Sequence, residues 1–402
     1  MRKLRSAPAL GAVAVLLLAV GFANEAVDQG RPATGASAAG LNSLDAELAK
    51  GVASGRYPGA VFIVANDKAV LHQGAIGEGD VERHTPMRPD TIFRLMSMTK
   101  PVTTVAAMIL VDEDKLKLDD PVSKYLPEFQ GFAPGGPPLT IRHLLTHTGG
   151  LGFGSIPSPG APAPTLAGRV KEIAARPSPA PVGQRWTYSG LDGLDIVARV
   201  VEVISGEPYE RFLKRRIFDP LGMKDTTYVL SAEQKRRLVG LYAPKAGGFE
   251  ASSSPLADLG YPSGSANLYT TGPDFARLAQ MLAGGGVYKG VRVLSSAAVR
   301  QMSSPQLPLG YPGLQPGLSW GLGMRRVADP ALLKSSLPLG AYGWSGAFGT
   351  HFWVDPKTRL VAVWMINLTT AGGAGSPDAL AFENAVVKAC RSDRRCRAGG
   401  DR

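Results

Sequence analysis

The sequence predicts an α+β fold: one antiparallel sheet assembled from both ends of the chain, flanked by helices, with an all-helical lobe inserted between its two halves. Three observations carry this expectation. β-type runs broken by turn residues stand near the start, helix-spaced segments fill the middle, and β-type runs return before a last helix. The composition, 44% hydrophobic and 19% charged, suits a chain that buries a core, and 49 glycines with 32 prolines provide for many turns.

Residues 1–23 read as an export signal. Arg2, Lys3 and Arg5 precede the apolar run Gly11 to Val20, and Gly21-Phe22-Ala23 forms a small-x-small cleavage site. The run is short and ends in small residues rather than a charged stop, so cleavage after Ala23, a periplasmic or secreted location and no membrane span in the mature chain are expected. Removing those three basic residues lowers the formal charge from +11 to +8. The remaining basic runs adjoin helix-like segments, which fits solvated faces and gives no basis for nucleic-acid binding.

Residues 24–41, rich in Ala, Gly and small polar residues, read as a flexible linker, and 42–390 as the catalytic domain. Within it, 42–92 and 316–390 make the α/β lobe and 93–315 the mainly helical lobe. Leu41 to Ser54 has helical spacing. Ala60 to Ala65, the turn Asn66-Asp67-Lys68 and Ala69 to His72 read as a β-hairpin. Helices are predicted over 97–113, 140–147, 166–176, 191–205, 208–217, 272–285 and 295–303, joined by long, partly Pro-rich loops that suit a site. Strands follow at Ser319 to Val327, Gly343 to Val354 and Leu360 to Asn367, then a helix at Pro377 to Arg391. Residues 391–402 form a basic tail. Cys390 and Cys396 can close a disulfide only if that helix ends between them, because residues six apart on one helix are too far separated.

Three segments carry candidate chemistry. Ser97 and Lys100, at i and i+3 where a polar stretch becomes the apolar run Val102 to Leu110, share one helix face. A serine there has backbone N–H groups beside it, and an amine acts as a base when its surroundings favour the neutral form. The bland reading is a helix cap with a surface lysine. Tyr188, in Trp186-Thr187-Tyr188-Ser189-Gly190, enters a helix from a loop and is either a proton-transfer group or a packed aromatic. Gly343-Trp344-Ser345-Gly346-Ala347 is either a strand that a ligand approaches closely or a bulged edge.

Ser97-Met98-Thr99-Lys100, Tyr188-Ser189-Gly190 and Trp344-Ser345-Gly346, in that order, resemble the three motifs of the serine β-lactamase and penicillin-binding-protein superfamily. The likeness is to its class C-like branch, and within that to the family VIII carboxylesterases. Leu118 to Pro127, Leu139 to Gly150 and Phe218 to Met223 resemble it as well, so the likeness covers about 42–390. The resemblance implies a β-lactamase-like fold, Ser97 as nucleophile, Lys100 as its base partner and Tyr188 in the proton traffic. It further implies an oxyanion hole from the N–H groups of Ser97 and Ala347, and substrate binding by Trp344, Ser345 and Gly346.

Two departures refine this. The Tyr-x-Asn motif ends in Gly190, leaving no side-chain amide, and the Lys-Thr-Gly motif carries Trp344 in place of its cation. Both favour a less charged, more apolar ester. The expected function is therefore an exported serine hydrolase acting on a small-molecule ester or β-lactam-like substrate, with no cofactor. Weighed beside it are a β-lactamase or D-Ala-D-Ala peptidase using the same residues, and a non-catalytic cell-wall binding protein. Gly317-Leu318-Ser319-Trp320-Gly321 matches a nucleophile elbow, but a strand follows it where a helix is needed, so Ser319 is structural. His143 and His147, at i and i+4 without a Glu between them, are read as packing and hydrogen-bonding groups at a helix end, and no metal is assigned.

Overall fold

The computed structural model describes residues 39–133, 135–156, 165–176 and 178–397. The expected signal at 1–23 and the linker up to residue 38 lie outside them. Helix α1 (Ala39–Ala53) begins inside the stretch read as linker. It is followed by β1 (Gly59–Ala65) and β2 (Val70–Asp80), the predicted hairpin. Asn66 makes the turn: its Oδ1 accepts from the N–H groups of Lys68 and Ala69, each at 2.9 Å. Short strands β3 (Thr85–Pro86) and β4 (Ile92–Arg94) lead to a 3₁₀ turn at Met96–Met98 and α2 (Thr99–Asp112).

The helical lobe includes α3 (Ile141–Leu145) and α4 (Asp192–Ser205), whose apolar faces pack around α2. β5 (Tyr269–Thr271) pairs with β4, and α5 (Gly272–Ala283) follows directly. A helix at Ala232–Arg237 and small hairpins within 242–251 and 287–292 were not legible in the sequence. Strands β6 (Leu318–Trp320), β7 (Arg325–Val327), β8 (Tyr342–Ser345), β9 (His351–Val354) and β10 (Val361–Met365) precede α6 (Pro377–Ser392).

The main sheet runs β6-β7-β8-β9-β10-β1-β2-β3, antiparallel throughout, with Val61 of β1 opposite Met365 of β10. Two expected strands are each a pair. Ser319 to Val327 folds back through Gly323, at φ +67° and pressed against Thr104, and Gly343 to Val354 folds back through Gly349, at φ +94°. An L side chain is disfavoured at such φ values, so these glycines turn the chain rather than continue the strand.

Helices cover both faces, which is why every residue of β1 is buried. On one face Ala60, Phe62, Val64, Trp353 and Trp364 meet Leu44 and Leu48 of α1 and Phe382 and Val386 of α6. On the other, Val61, Ile63, Phe352 and Val363 join Val102 and Val105 of α2 and Phe275 of α5. Helix α6 ends at Ser392, and Cys390 is bonded to Cys396 with the Cα atoms 5.3 Å apart. The expected basic tail is thus folded as far as Arg397: Arg395 donates to the Leu71 carbonyl at 3.1 Å.

Candidate active site

Ser97 stands on a strained turn. The preceding residue, Met96, is buried at φ +50°, a conformation that a methionine keeps only when its surroundings impose it. Leu95 supplies the restraint: its N–H donates to the Leu268 carbonyl at 2.9 Å and its own carbonyl accepts from Thr350 Oγ1 at 2.9 Å. Half-buried Ser97 then lies at the entrance of α2, with Lys100 in the first turn.

The Lys100 side chain is fully buried. Its Nζ donates to Ser97 Oγ at 3.2 Å, the Gly190 carbonyl at 2.6 Å and the Ser265 carbonyl at 2.9 Å. The side-chain amide missing at position 190 is therefore replaced, as a holder of Lys100, by two backbone carbonyls. Asp195 of α4 fixes one of them: its carboxyl accepts from the Ser265 N–H at 3.0 Å, Ser263 Oγ at 2.6 Å and Tyr261 Oη at 2.6 Å. Burial pushes that carboxyl above its ordinary range, against the downward pull of Ser263, Tyr261, Arg169 and Lys100.

Tyr188 lies beside this group, with Lys100 Nζ 5.1 Å from its ring centroid. Trp344 Nε1–H donates to the phenol oxygen at 3.3 Å, so the residue in the position of the motif's cation touches the proposed proton carrier. Trp320 and Trp186 continue the wall, at 4.8 Å from Trp344 to Trp320 and 5.2 Å from Trp320 to Trp186 between ring centroids.

The turn from β8 to β9 is pressed onto the segment that bears Ser97. A Cβ at Gly346 would overlap the Leu95 carbonyl, and Gly346 N–H donates to the Thr350 carbonyl at 2.7 Å. This puts half-buried Ala347 close to the Leu95-Met96-Ser97 turn, and Ala347 packs in one cluster with Met96. None of the turn and loop hydrogen bonds among the described residues is donated by Ser97 or Ala347, as an oxyanion hole requires. Ser345, expected to bind substrate, points elsewhere. Alternation along β8 puts Trp344 on the cleft face and Ser345 on the face beneath α6. There the Ser345 hydroxyl bonds His351 Nδ1 at 2.7 Å, and His351 Nε2 lies 3.1 Å from Glu383, which Arg325 also engages. Ser319 is structural, as expected, its hydroxyl donating to the Leu307 carbonyl at 3.1 Å.

The sequence reading undervalued His147. His143 does cap α3, accepting from the Thr140 N–H at 3.2 Å through Nδ1. His147 instead clamps the tyrosine segment on both sides of Tyr188: its carbonyl accepts from the Thr187 N–H at 2.9 Å and its Nδ1 from the Ser189 N–H at 3.2 Å. Its ring lies 4.8 Å from that of Tyr188. Burial first, and the Lys100 ammonium second, hold the imidazole well below its ordinary pKa, so it is neutral.

Unfolded, the same ring takes up a proton near pH 6.5. Its contribution is therefore complete above about pH 6.5 and is lost as pH falls, by up to about 1.4 kcal/mol per unit, because the unfolded chain then binds the extra proton. His147→Asn keeps an acceptor and tolerates the φ of +57° found there. Urea unfolding at pH 7.0 and 5.5 should show a smaller acid loss for this variant than for the parent. Equal losses would mean that His147 is charged in the folded state.

A family model described as Beta-lactamase matches residues 44–385. Esterase EstB of Burkholderia gladioli is 31% identical over 379 residues, covering 85% of this chain and 94% of that protein. Protein Rv1367c of Mycobacterium tuberculosis is 31% identical over 398 residues, covering 88% and 98%. Among solved structures, EstCE1, a hydrolase with promiscuous acyltransferase activity, aligns with a TM-score of 0.78 at 26% identity, over 87% of this chain and 99% of its own. With the family model and full-length relatives spanning both lobes, the chain belongs to the beta-lactamase family.

Proposed function

We propose that this serine hydrolase cleaves uncharged, apolar carboxylic esters through an acyl-enzyme on Ser97, and that it works outside the cytoplasm. The observation that carries the reading is the buried Lys100 Nζ 3.2 Å from Ser97 Oγ, with Tyr188 beside it and Trp344 on the phenol. Ser97 Oγ attacks the ester carbonyl, and its proton passes to the unprotonated member of the Lys100–Tyr188 pair. The carbonyl oxygen gathers charge at the N–H groups of Ser97 and Ala347. The pair returns the proton to the departing alkoxide. Water then attacks the acyl-enzyme and gives a proton to the same pair, which returns it to the departing Ser97 Oγ as the carboxylic acid is released.

The aromatic wall supports an apolar substrate, and the description of EstB as an esterase supports an ester. The basic and apolar leader and the Cys390–Cys396 bond support an oxidising, exported setting. One preparation tests both parts. Full-length chain expressed with its leader should be recovered outside the cytoplasm with the mass expected for cleavage after Ala23. It should turn over p-nitrophenyl butyrate at least about 100-fold more efficiently, in kcat/KM, than a cephalosporin, the scale of discrimination that pocket contacts provide. Faster cephalosporin turnover would establish the β-lactamase reading instead. A Ser97 that a fluorophosphonate cannot label would leave a binding protein.

A further inference from the structure

Phe153 is an aromatic ring packed over Gly190 that the chemistry above does not use. It is 55% exposed, yet its backbone is firmly held. The Phe153 carbonyl accepts from the Leu191 N–H at 2.8 Å. Gly154, at φ +94°, is packed so closely on α4 that a Cβ there would lie 2.5 Å from Asp192 Oδ1. Asp192 is itself buried and paired with Arg169 at 2.7 Å and Arg176 at 2.8 Å. The loop is thus anchored while the ring it carries is open to solvent.

That ring lies against Gly190. A Cβ added at Gly190 would overlap three carbons of the Phe153 ring. The Gly190 carbonyl binds Lys100 at 2.6 Å, and Lys100 reaches Ser97 Oγ at 3.2 Å. Two close contacts therefore separate the residue beneath the ring from the nucleophile. Gly190 is not among the residues of positive φ, so its lack of a side chain is explained by the ring above it and not by its backbone.

We propose that Phe153 is a specificity-determining residue: its ring occupies the space that a side chain at position 190 would fill and presents an apolar face to the ester beside Ser97. Phe153 and Gly190 then act as one unit, and the preference for apolar esters rests on the pair. This rests on the ester hydrolysis proposed above. A ring that is more than half exposed in the free protein gains most by being covered by an apolar acyl or alkoxy group.

The test is a cycle of Phe153→Ala, Gly190→Ala and the double variant. p-Nitrophenyl acetate and octanoate report the acyl side, and methyl and hexyl butyrate report the alcohol side. In Phe153→Ala, selectivity for the longer member of one series should fall about tenfold, the scale of losing one apolar contact surface. Gly190→Ala should fall to a similar extent, because its new methyl displaces an exposed ring that is free to swing away. The double variant should fall no further, since both changes remove the same wall. Thermal midpoints measured alongside separate misfolding from altered selectivity, because a loss of folded protein lowers both members of a series equally. Selectivity that stays constant or rises in Phe153→Ala, or two losses that multiply in the double variant, overturns the proposal. A wild type that hydrolyses no ester overturns the proposed function as well, whereas an active wild type with unmoved selectivity overturns only the role of Phe153.

Discussion

Ser97→Ala should lower kcat/KM for p-nitrophenyl butyrate by about 10⁴-fold or more, with the thermal midpoint almost unchanged. The two halves of this expectation come from different contacts. Chemically, the hydroxyl is the group that Lys100 reaches at the mouth of α2, and without it no acyl-enzyme forms. Structurally, Ser97 is half-buried and among the described residues its hydroxyl accepts one hydrogen bond, from Lys100, which keeps the Gly190 and Ser265 carbonyls. The variant should also lose the adduct of a fluorophosphonate, read by intact mass. Wild-type turnover by the purified alanine variant would remove Ser97 from the reaction.

Lys100→Met should behave differently, because it damages both the chemistry and the fold. The thioether chain fills much of the same volume but donates nothing, so two carbonyls in a buried site lose their partner. Each unsatisfied carbonyl costs about 1–3 kcal/mol, and a clearly lower thermal midpoint is expected. At temperatures where the variant is still folded, acylation should be slower by about 10³-fold, in the range for removal of a positioned proton carrier. Stopped-flow measurement of the acylation burst separates this from slower deacylation. A destabilised variant that is acylated at the wild-type rate would make Lys100 a structural cation.

The parts of the site legible in the sequence are those whose chemistry is local. Ser97 and Lys100 are three residues apart on one turn, and Tyr188 and Trp344 each sit in a short segment with its own punctuation. What the sequence did not reveal is tertiary. The carbonyls of Gly190 and Ser265 that hold Lys100 leave no mark in a string of side chains. His147 was visible only as half of a histidine pair, because its partners are backbone N–H groups on either side of Tyr188. The direction of the Ser345 side chain was hidden for a related reason. With Gly343 to Val354 read as one strand, the hairpin that pairs Ser345 with His351 was hidden, and with it the polar cluster beneath α6. The fold class was easier, because β1 and β10 are apolar runs, and helices covering both faces of a sheet require such runs.

The pairing of β1 with β10 sets the order in which the molecule can be completed. Val61 hydrogen-bonds within a ladder whose other rail ends at Met365, and nearly all of the helical lobe is made between them. A growing chain therefore carries β1 without one of its ladder partners until β10 is synthesised about 300 residues later, whereas α2 and α4 already have each other. The sheet is the last part of the architecture to close. The turn that bears Ala347 belongs to that late half, so the helix that follows Ser97 can be in place well before the cleft is complete.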